Sequence, residues 1–341
     1  MQKKGIRATL KASILRKGDP SMLNNYQYFI MLAKERNIST AAEKLFISHQ
    51  CLSKYLKNLE KHYGITLFER KPTFQLTPAG QRLLKTYKEI EFEEQNVEAE
   101  LADLKHAETG TVHFGITEGR YSIVVPRLLK QFYQQYPHVK VVITNTTSPK
   151  MEQMIMDNEL DLFLSGLNSV NPRSDFMKIM DEHLYLVISD NLLKKYFPEE
   201  PDFKEKNKEG IDLLQFSSIP CFLNKPNFNT RSVIDHYLAK IGGTLNCLTE
   251  LTQLDMQYRL AAEDMGFSFC LTMYLEGIGR INQLKRFQGD PNMLNVFPIK
   301  GLTETNPLGL IFKRGRIFPS YTQKFCKTVK EVCLEKGRLK A

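Results

Sequence analysis

Cysteine is sparse in this chain: Cys51, Cys221, Cys247, Cys270, Cys326 and Cys333 stand apart, with no C-x-x-C pair among them. That spacing indicates neither a zinc site nor a disulfide framework, and buried free thiols are the expectation. No apolar run approaches the length of a membrane span, and the N-terminus lacks the apolar core of a secretory signal, so a cytoplasmic protein without membrane contact is expected. G-x-S-x-G, H-E-x-x-H, P-loop and G-x-G-x-x-G patterns are all missing, and the seven histidines lie singly. No catalytic residue, metal ligand or cofactor is therefore nominated.

What is present is an ordinary soluble composition, 42% hydrophobic and 25% charged, in 341 residues, long enough for two or three domains. The net charge of +9 is unevenly spread: +5 in residues 1–21, +4 in 22–80, −4 in 81–108 and +4 in the remainder. A basic module followed by an acidic stretch fits a nucleic-acid contact confined to the N-terminal part. Residues 1–21 have no clear amphipathic period. They read as a basic arm, or as an upstream extension of a reading frame that starts at Met22.

The most informative stretch is residues 39–60, S-T-A-A-E-K-L-F-I-S-H-Q-C-L-S-K-Y-L-K-N-L-E. Ser39 is a candidate N-cap for a short helix burying Ala41, Ala42 and Leu45; Phe46 and Ile47 form a tight apolar turn, and Ser48 offers the next N-cap. The second helix runs to Gly64, a C-terminal stop, with Leu52, Leu56, Leu59 and Tyr63 on one stripe. Opposite them lie Gln50, Ser53, Lys54 and Lys57. Amide, hydroxyl and ammonium groups near the start of such a helix suit major-groove reading: Gln pairs with adenine, Lys with guanine or phosphate. The plainer alternative is an αα-hairpin with a solvated polar side. A preceding helix from Leu23, carrying Tyr26, Phe29, Ile30 and Ala33 and stopped at Asn37, supplies a third member of the core.

After Gly64, Leu67, Phe74 and Leu76 can pack under the helices, while Arg70 and Lys71 sit on a short hairpin, a wing placed for phosphate contact. Thr77 as N-cap and Pro78 open a long acidic helix. Leu83, Ile90, Val97 and Leu104 recur every seven residues, with Tyr87 and Leu101 between them and Glu94 breaking the pattern. That a/d seam predicts a homodimer through this helix, and packing on the chain's own C-terminal part is the alternative. From Gly110 onward strands and helices alternate: T-V-H-F-G-I-T, an amphipathic helix to Pro137, V-K-V-V-I-T, a helix capped by Ser148 and Pro149, and L-D-L-F-L-S-G. Strands near 184–188, 220–223, 245–250 and 267–271, with helices at 231–241 and up to Asp264, continue the theme. Repeated βα units over more than 200 residues predict a mostly parallel sheet in two lobes.

The motifs F-I-M-L-A (29–33), S-T-A-A-E-K-L (39–45), I-S-H-Q-C-L-S (47–53), L-E (59–60), G-I-T-L-F-E-R (64–70) and L-T-P-A-G (76–80), in this order and spacing, resemble the LysR-type transcriptional regulators. Weaker support comes from G-T-V-H-F-G-I, Y-P-H-V-K-V, N-E-L-D-L-F and the M-G-F at 265–267. The resemblance implies an α/β protein: a winged helix-turn-helix (22–80) after the basic extension (1–21), a dimerising linker helix (81–109), and a two-lobed effector domain (110–341) resembling type 2 periplasmic binding proteins. Lobe I would take about 110–184 and 291–341, and lobe II about 185–290. It also implies a tetramer when effector domains pair, and RNA polymerase stands as a candidate partner. Two recognition helices of a dimer would meet an interrupted dyad in double-stranded DNA.

Three departures from the family pattern stand out. His49 and Gln50 follow Ser48 where Gln and then Pro or Ser are usual, the wing is one residue short and lacks a second arginine, and Asp264 replaces a frequent Gly. The expected DNA-binding set is Ser39, Ser48, His49, Gln50, Ser53, Lys54, Lys57, Arg70 and Lys71. Gln50, Ser53 and Lys54 should face bases, and Ser48, Lys57, Arg70 and Lys71 phosphates.

In two-lobed sheets ligands bind beyond the carboxyl ends of the strands, where helix N-termini present free N–H groups. That rule nominates Thr117, Glu118, Thr147, Ser148, Ser165, Gly166 and Asn224 for a small anionic or zwitterionic effector; Glu118 could repel an anion or meet the amine of a zwitterion. Ser148 as only a cap and Thr117 as only a turn residue is the other reading. An enzyme on the same fold would need a catalytic constellation, and a transporter's solute-binding protein would need export and have no use for residues 22–80.

Overall fold

The computed structural model describes residues 25–104, 109–167, 170–226 and 228–337. The basic segment 1–21 lies outside the described residues. Two compact units divide the chain, one up to Gln95 and one from Asn96 onward.

The first unit holds α1 (Tyr26–Glu35), α2 (Ile38–Lys44), α3 (His49–Tyr63), the hairpin β1 (Phe68–Glu69) and β2 (Gln75–Leu76), and the start of α4 (Pro78–Leu104). Tyr26, Phe29 and Leu32 come every third residue and bury one face of α1 against Ala41, Ala42, Leu52, Leu56 and Leu59. The small alanines let α2 approach closely. Two caps differ from expectation. Arg36, not Asn37, takes the left-handed conformation that ends α1 (φ 49°), and Asn37 is extended and caps α2 by accepting from Thr40 N–H at 3.1 Å. Ser39 is thus inside the first turn. Tyr63, expected on the buried stripe, ends α3 and is 44% exposed.

The wing is held from below. Glu60 accepts the backbone N–H groups of Leu67 (2.9 Å) and Phe68 (3.3 Å), while Phe68 stacks on Phe74 at 4.4 Å and meets Phe29 edge-on. Thr77 Oγ1 caps α4 by accepting from Gly80 N–H at 3.0 Å. A Cβ on Gly80 would stand 2.1 Å from the Leu67 carbonyl oxygen, so only glycine lets the helix start against the wing.

The expected seam of α4 is divided. Tyr87 is buried in the first unit's own core, with Leu83 and Ile90 packed partly against it. Those three side chains thus pack at least partly within the first unit. Val97 and Leu101 stay half exposed, at 52% and 48%; Leu104 is the last residue of the helix. In the second unit, Asn96 accepts from Ile317 N–H (3.1 Å) and donates to the Gly315 carbonyl (3.1 Å), and Asp103 accepts from Ser320 N–H (2.7 Å), so this end of α4 is fastened to the second unit.

The second unit continues with β3 (Gly110–Ile116), α5 (Glu118–Gln135), β4 (Val139–Asn145), α6 (Ser148–Met156), β5 (Leu162–Gly166) and β6 (Ser174–Glu182). Then follow β7 (Leu184–Ser189), α7 (Asp190–Tyr196), α8 (Phe203–Lys206), β8 (Pro220–Asn224), α9 (Asn229–Ile241), β9 (Asn246–Leu251), α10 (Leu254–Ala262), β10 (Ser268–Leu271), α11 (Leu275–Phe287), β11 (Leu294–Pro298), β12 (Asn306–Lys313) and α12 (Ser320–Gly337). Lobe I is a five-stranded sheet in the order β4-β3-β5-β12-β6. Phe114 of β3, Phe132 of α5 and Phe325 of α12 pack edge to face on one side of it, and Met151, Ile155, Phe163 and Ile311 form a separate cluster under α6. Lobe II combines the antiparallel sheet β10-β7-β11 with the parallel pair β8-β9.

The sheets are more mixed than expected. β3, β4 and β5 run parallel, but β12 is antiparallel to both β5 and β6, and β7 to both β10 and β11. The chain crosses between lobes twice, and the strands flanking each crossing are not joined by βαβ units, so they escape the right-handed crossover rule. The second crossing falls after Pro298, since β11 pairs with β7; lobe II therefore extends past the expected boundary at 290. The buried-thiol expectation holds for Cys221, Cys270, Cys326 and Cys333, whereas Cys51 and Cys247 are exposed.

Candidate functional site

Two places gather polar groups that the fold itself does not consume. The first is the start of α3. Ser48 is extended, and its Oγ accepts from Cys51 N–H at 3.1 Å, which satisfies one of the free donors of the first turn. Burying Leu52, Leu56 and Leu59 turns His49, Gln50, Lys54 and Lys57 outward as exposed residues, with Ser53 half-buried. Lys71 is exposed on the wing, and Ser39 is exposed on α2. Arg70 is also exposed, but its guanidinium lies 3.3 Å from Glu60, the carboxylate that holds the wing, so part of its role is structural.

The second place is a cavity of about 860 Å³ between the lobes of the second unit. All seven residues nominated from strand ends line it: Thr117, Glu118, Thr147, Ser148, Ser165, Gly166 and Asn224. Four helices open onto it, α5 and α6 from lobe I and α9 and α10 from lobe II. Their N-cap residues, Thr117, Thr147, Phe228 and Gln253, all line the cavity and make no side-chain cap hydrogen bond. First-turn N–H groups with no capping oxygen, at the positive end of a helix dipole, are what an anionic group seeks.

Details differ from the sequence reading. Ser148 does not cap α6; Thr147 stands at that position, and Ser148 Oγ instead shares a 2.7 Å hydrogen bond with Ser165 Oγ. The Asn224 amide is engaged, donating to the Leu251 carbonyl (3.0 Å) and accepting from Thr230 Oγ1 (2.5 Å), so it shapes the wall. Gly166 leaves room for Asn229 of the opposite lobe, whose amide nitrogen would stand 2.8 Å from an added Cβ.

Arg120, Tyr274, Asn306, Thr252 and Gln253 also line the cavity and were missed. Arg120 is buried and pairs with the fully buried Glu182 at 2.5 Å, and Asn306 donates to the same Glu182 oxygen at 3.1 Å. Burial alone would lower the Arg120 pKa, but the adjacent Glu182 charge outweighs it and holds the guanidinium above its usual range. Burial likewise pushes the Tyr274 hydroxyl well up. The strand-end rule extended to L-T-Q-L-D at 251–255 finds Thr252 and Gln253. No local signal finds Arg120, whose partner lies 62 residues away.

The chain matches the LysR substrate binding domain over residues 105–333 and the bacterial regulatory helix-turn-helix of the lysR family over residues 23–81. It belongs to the LysR family of transcriptional regulators. Relatives include the HTH-type transcriptional regulator YtlI of Bacillus subtilis (strain 168), 26% identical over 86% of this chain and 88% of the relative. Another is the HTH-type transcriptional activator CmpR of Synechocystis, 26% identical over 75% and 81%. In fold, this LysR-type regulator is similar to a cysteine-substituted variant of full-length OxyR from Pseudomonas aeruginosa (TM-score 0.65, 17% identity, 92% of this chain and 95% of that one). It is also similar to full-length CbnR complexed with its target DNA (TM-score 0.52, 17% identity, 91% and 99%). The regulator thus joins a helix-turn-helix DNA-binding domain to an effector-binding domain. Among the described residues, no helix is long and apolar enough to cross a membrane.

Proposed function

We propose that this regulator, working in the cytoplasm without enzymatic activity of its own, binds an interrupted dyad in promoter DNA as a homodimer or homotetramer. Gln50, Ser53 and Lys54 of α3 read bases, while Ser48, His49, Lys57, Arg70 and Lys71 position the domain on the backbone. RNA polymerase is the partner such binding would influence. Control comes from a small carboxylate-bearing metabolite held between the lobes.

The observation that carries the effector reading is the meeting of four uncapped helix N-termini in one cavity whose lining cation, Arg120, is tied to Glu182. Helix ends and the Thr117, Ser148 and Ser165 hydroxyls then supply the contacts to the anion, and Glu118 at the start of α5 suits the ammonium of a zwitterion. The test uses full-length protein and an operator selected from random-sequence duplexes. Gln50→Ala should weaken operator binding and leave effector binding intact. Thr117→Val should do the reverse, raising the dissociation constant of a carboxylate metabolite found by thermal-shift screening by about tenfold, or ~1.4 kcal/mol. An unchanged dissociation constant in Thr117→Val, for a ligand that stabilises the protein, would place the effector elsewhere.

A further inference from the structure

Among the described residues, four other than glycine have positive φ: Arg36, Phe46, Asn158 and Asp264. Asn and Asp tolerate the left-handed conformation because their short polar side chains bond locally; an aromatic residue does not, and such an outlier asks for a reason. Phe46 sits at φ 54° in the turn between α2 and α3. The hydrogen bonds of that turn define its role. Ile47 N–H donates to the Ala42 carbonyl and Phe46 N–H to the Glu43 carbonyl, each at 3.0 Å. This nested pair is a Schellman motif, and Phe46 occupies its left-handed position, where glycine is strongly preferred. The motif requires nothing of a side chain there.

Nor does the core use it. Phe46 is 84% exposed, while Ile47 beside it packs against the cluster formed by Ala41, Ala42 and Leu52. A large ring in a strained backbone position, left in water, stabilises nothing within the unit. It stands two residues ahead of Ser48, the N-cap of the helix whose first turn carries His49 and Gln50. A recognition helix contacts bases through its N-terminal residues, so a side chain just before that terminus stands at the edge of the major groove. The apolar group that the groove presents is the thymine 5-methyl.

We propose that Phe46 is a specificity-determining residue that packs its ring on a thymine methyl of the half-site. The inference rests on α3 being the recognition helix, and goes beyond it by adding an apolar base contact from outside that helix. Strain at φ 54° is retained because the ring contributes to DNA binding what glycine would not.

The test uses the full chain and duplexes selected from random sequence with the unaltered protein. Phe46→Gly and Phe46→Asn should melt no lower than the parent and bind the selected operator at least about fivefold more weakly, more than a neutral surface change produces. The slope of affinity against salt should not change, because no phosphate contact is lost. Replacing thymines by uracil one at a time should weaken the parent at one position in each half-site and leave Phe46→Gly unaffected there. Equal affinity for parent and Phe46→Gly overturns the proposal, as does a reduced salt slope or an operator in which no uracil matters. Gln50→Ala, run alongside, separates the failures: if it weakens binding while Phe46→Gly does not, the inference alone is wrong, and if neither matters, the recognition helix itself is misassigned.

Discussion

The buried Arg120–Glu182 pair should govern the stability of the effector domain as a coupled unit. Glu182 ends β6 and is separated from β7 by His183 alone, so it sits at the first crossing between lobes; Asn306, bonded to it, opens β12 after the second. Arg120 lies in the first turn of α5, whose N-terminus faces the cavity. Glu182→Leu leaves a guanidinium that is 8% exposed without its counter-charge, and arginine cannot shed its proton, so a loss of about 3–5 kcal/mol is expected at any pH. Arg120→Met strands a carboxylate instead. A buried charge is again left without its partner, so a deficit of the same order is expected.

The double change Arg120→Met with Glu182→Leu should recover most of the loss. Arg120 Nε and Glu182 Oε1 have no hydrogen-bond partner among the described residues, so the native pair satisfies only part of what it buries. Urea unfolding of the full chain, followed by circular dichroism because there is no tryptophan, measures all four proteins. Additivity of the two single changes within about 0.5 kcal/mol would refute the account.

Interactions within a few residues were legible in the sequence; those that depend on where the chain returns were not. Ser48, Gly64 and Thr77 act as caps because a hydroxyl or a left-handed glycine does its work within four residues. The seven cleft residues were found because strand ends and helix starts fix them wherever the lobes close. Choosing Ser39 over Asn37 as a cap failed because both are good capping residues two apart, and the geometry of the preceding turn decides between them. β6, β11 and β12 were missed, since Ser174–Glu182 and Asn306–Lys313 pair with each other across more than 120 residues. The heptad pattern of α4 was real, but periodicity cannot say whether a stripe faces the chain's own core, as Tyr87 does, or remains exposed, as Val97 does.

Two further outcomes are expected. Burial would raise the pKa of Asp161, but hydrogen bonds from His113 and the charge of Arg316 outweigh it and hold the carboxyl below its usual range. A depressed carboxyl adds stability above its unfolded pKa of about 3.9 that is lost as pH falls through the folded value, so Asp161→Asn should be less stable at pH 7 and show a flatter acid limb; an unchanged acid limb would count against this. The second concerns assembly. Ile90 is partly packed in the first unit's core, so an aspartate there would confuse unfolding with dissociation, whereas Val97 and Leu101 are half exposed on one side of α4. If a second copy covers them, a dimer buries two of each, and half a side chain is worth about 1 kcal/mol, roughly 4 kcal/mol in all and close to a thousandfold in dissociation constant. Val97→Asp with Leu101→Asp should therefore shift the protein toward monomer in sedimentation and abolish operator binding, with the melting of each unit unchanged. A doubly substituted protein that keeps both the parent's sedimentation coefficient and its operator affinity would show that the exposed half of this seam is not where two chains meet.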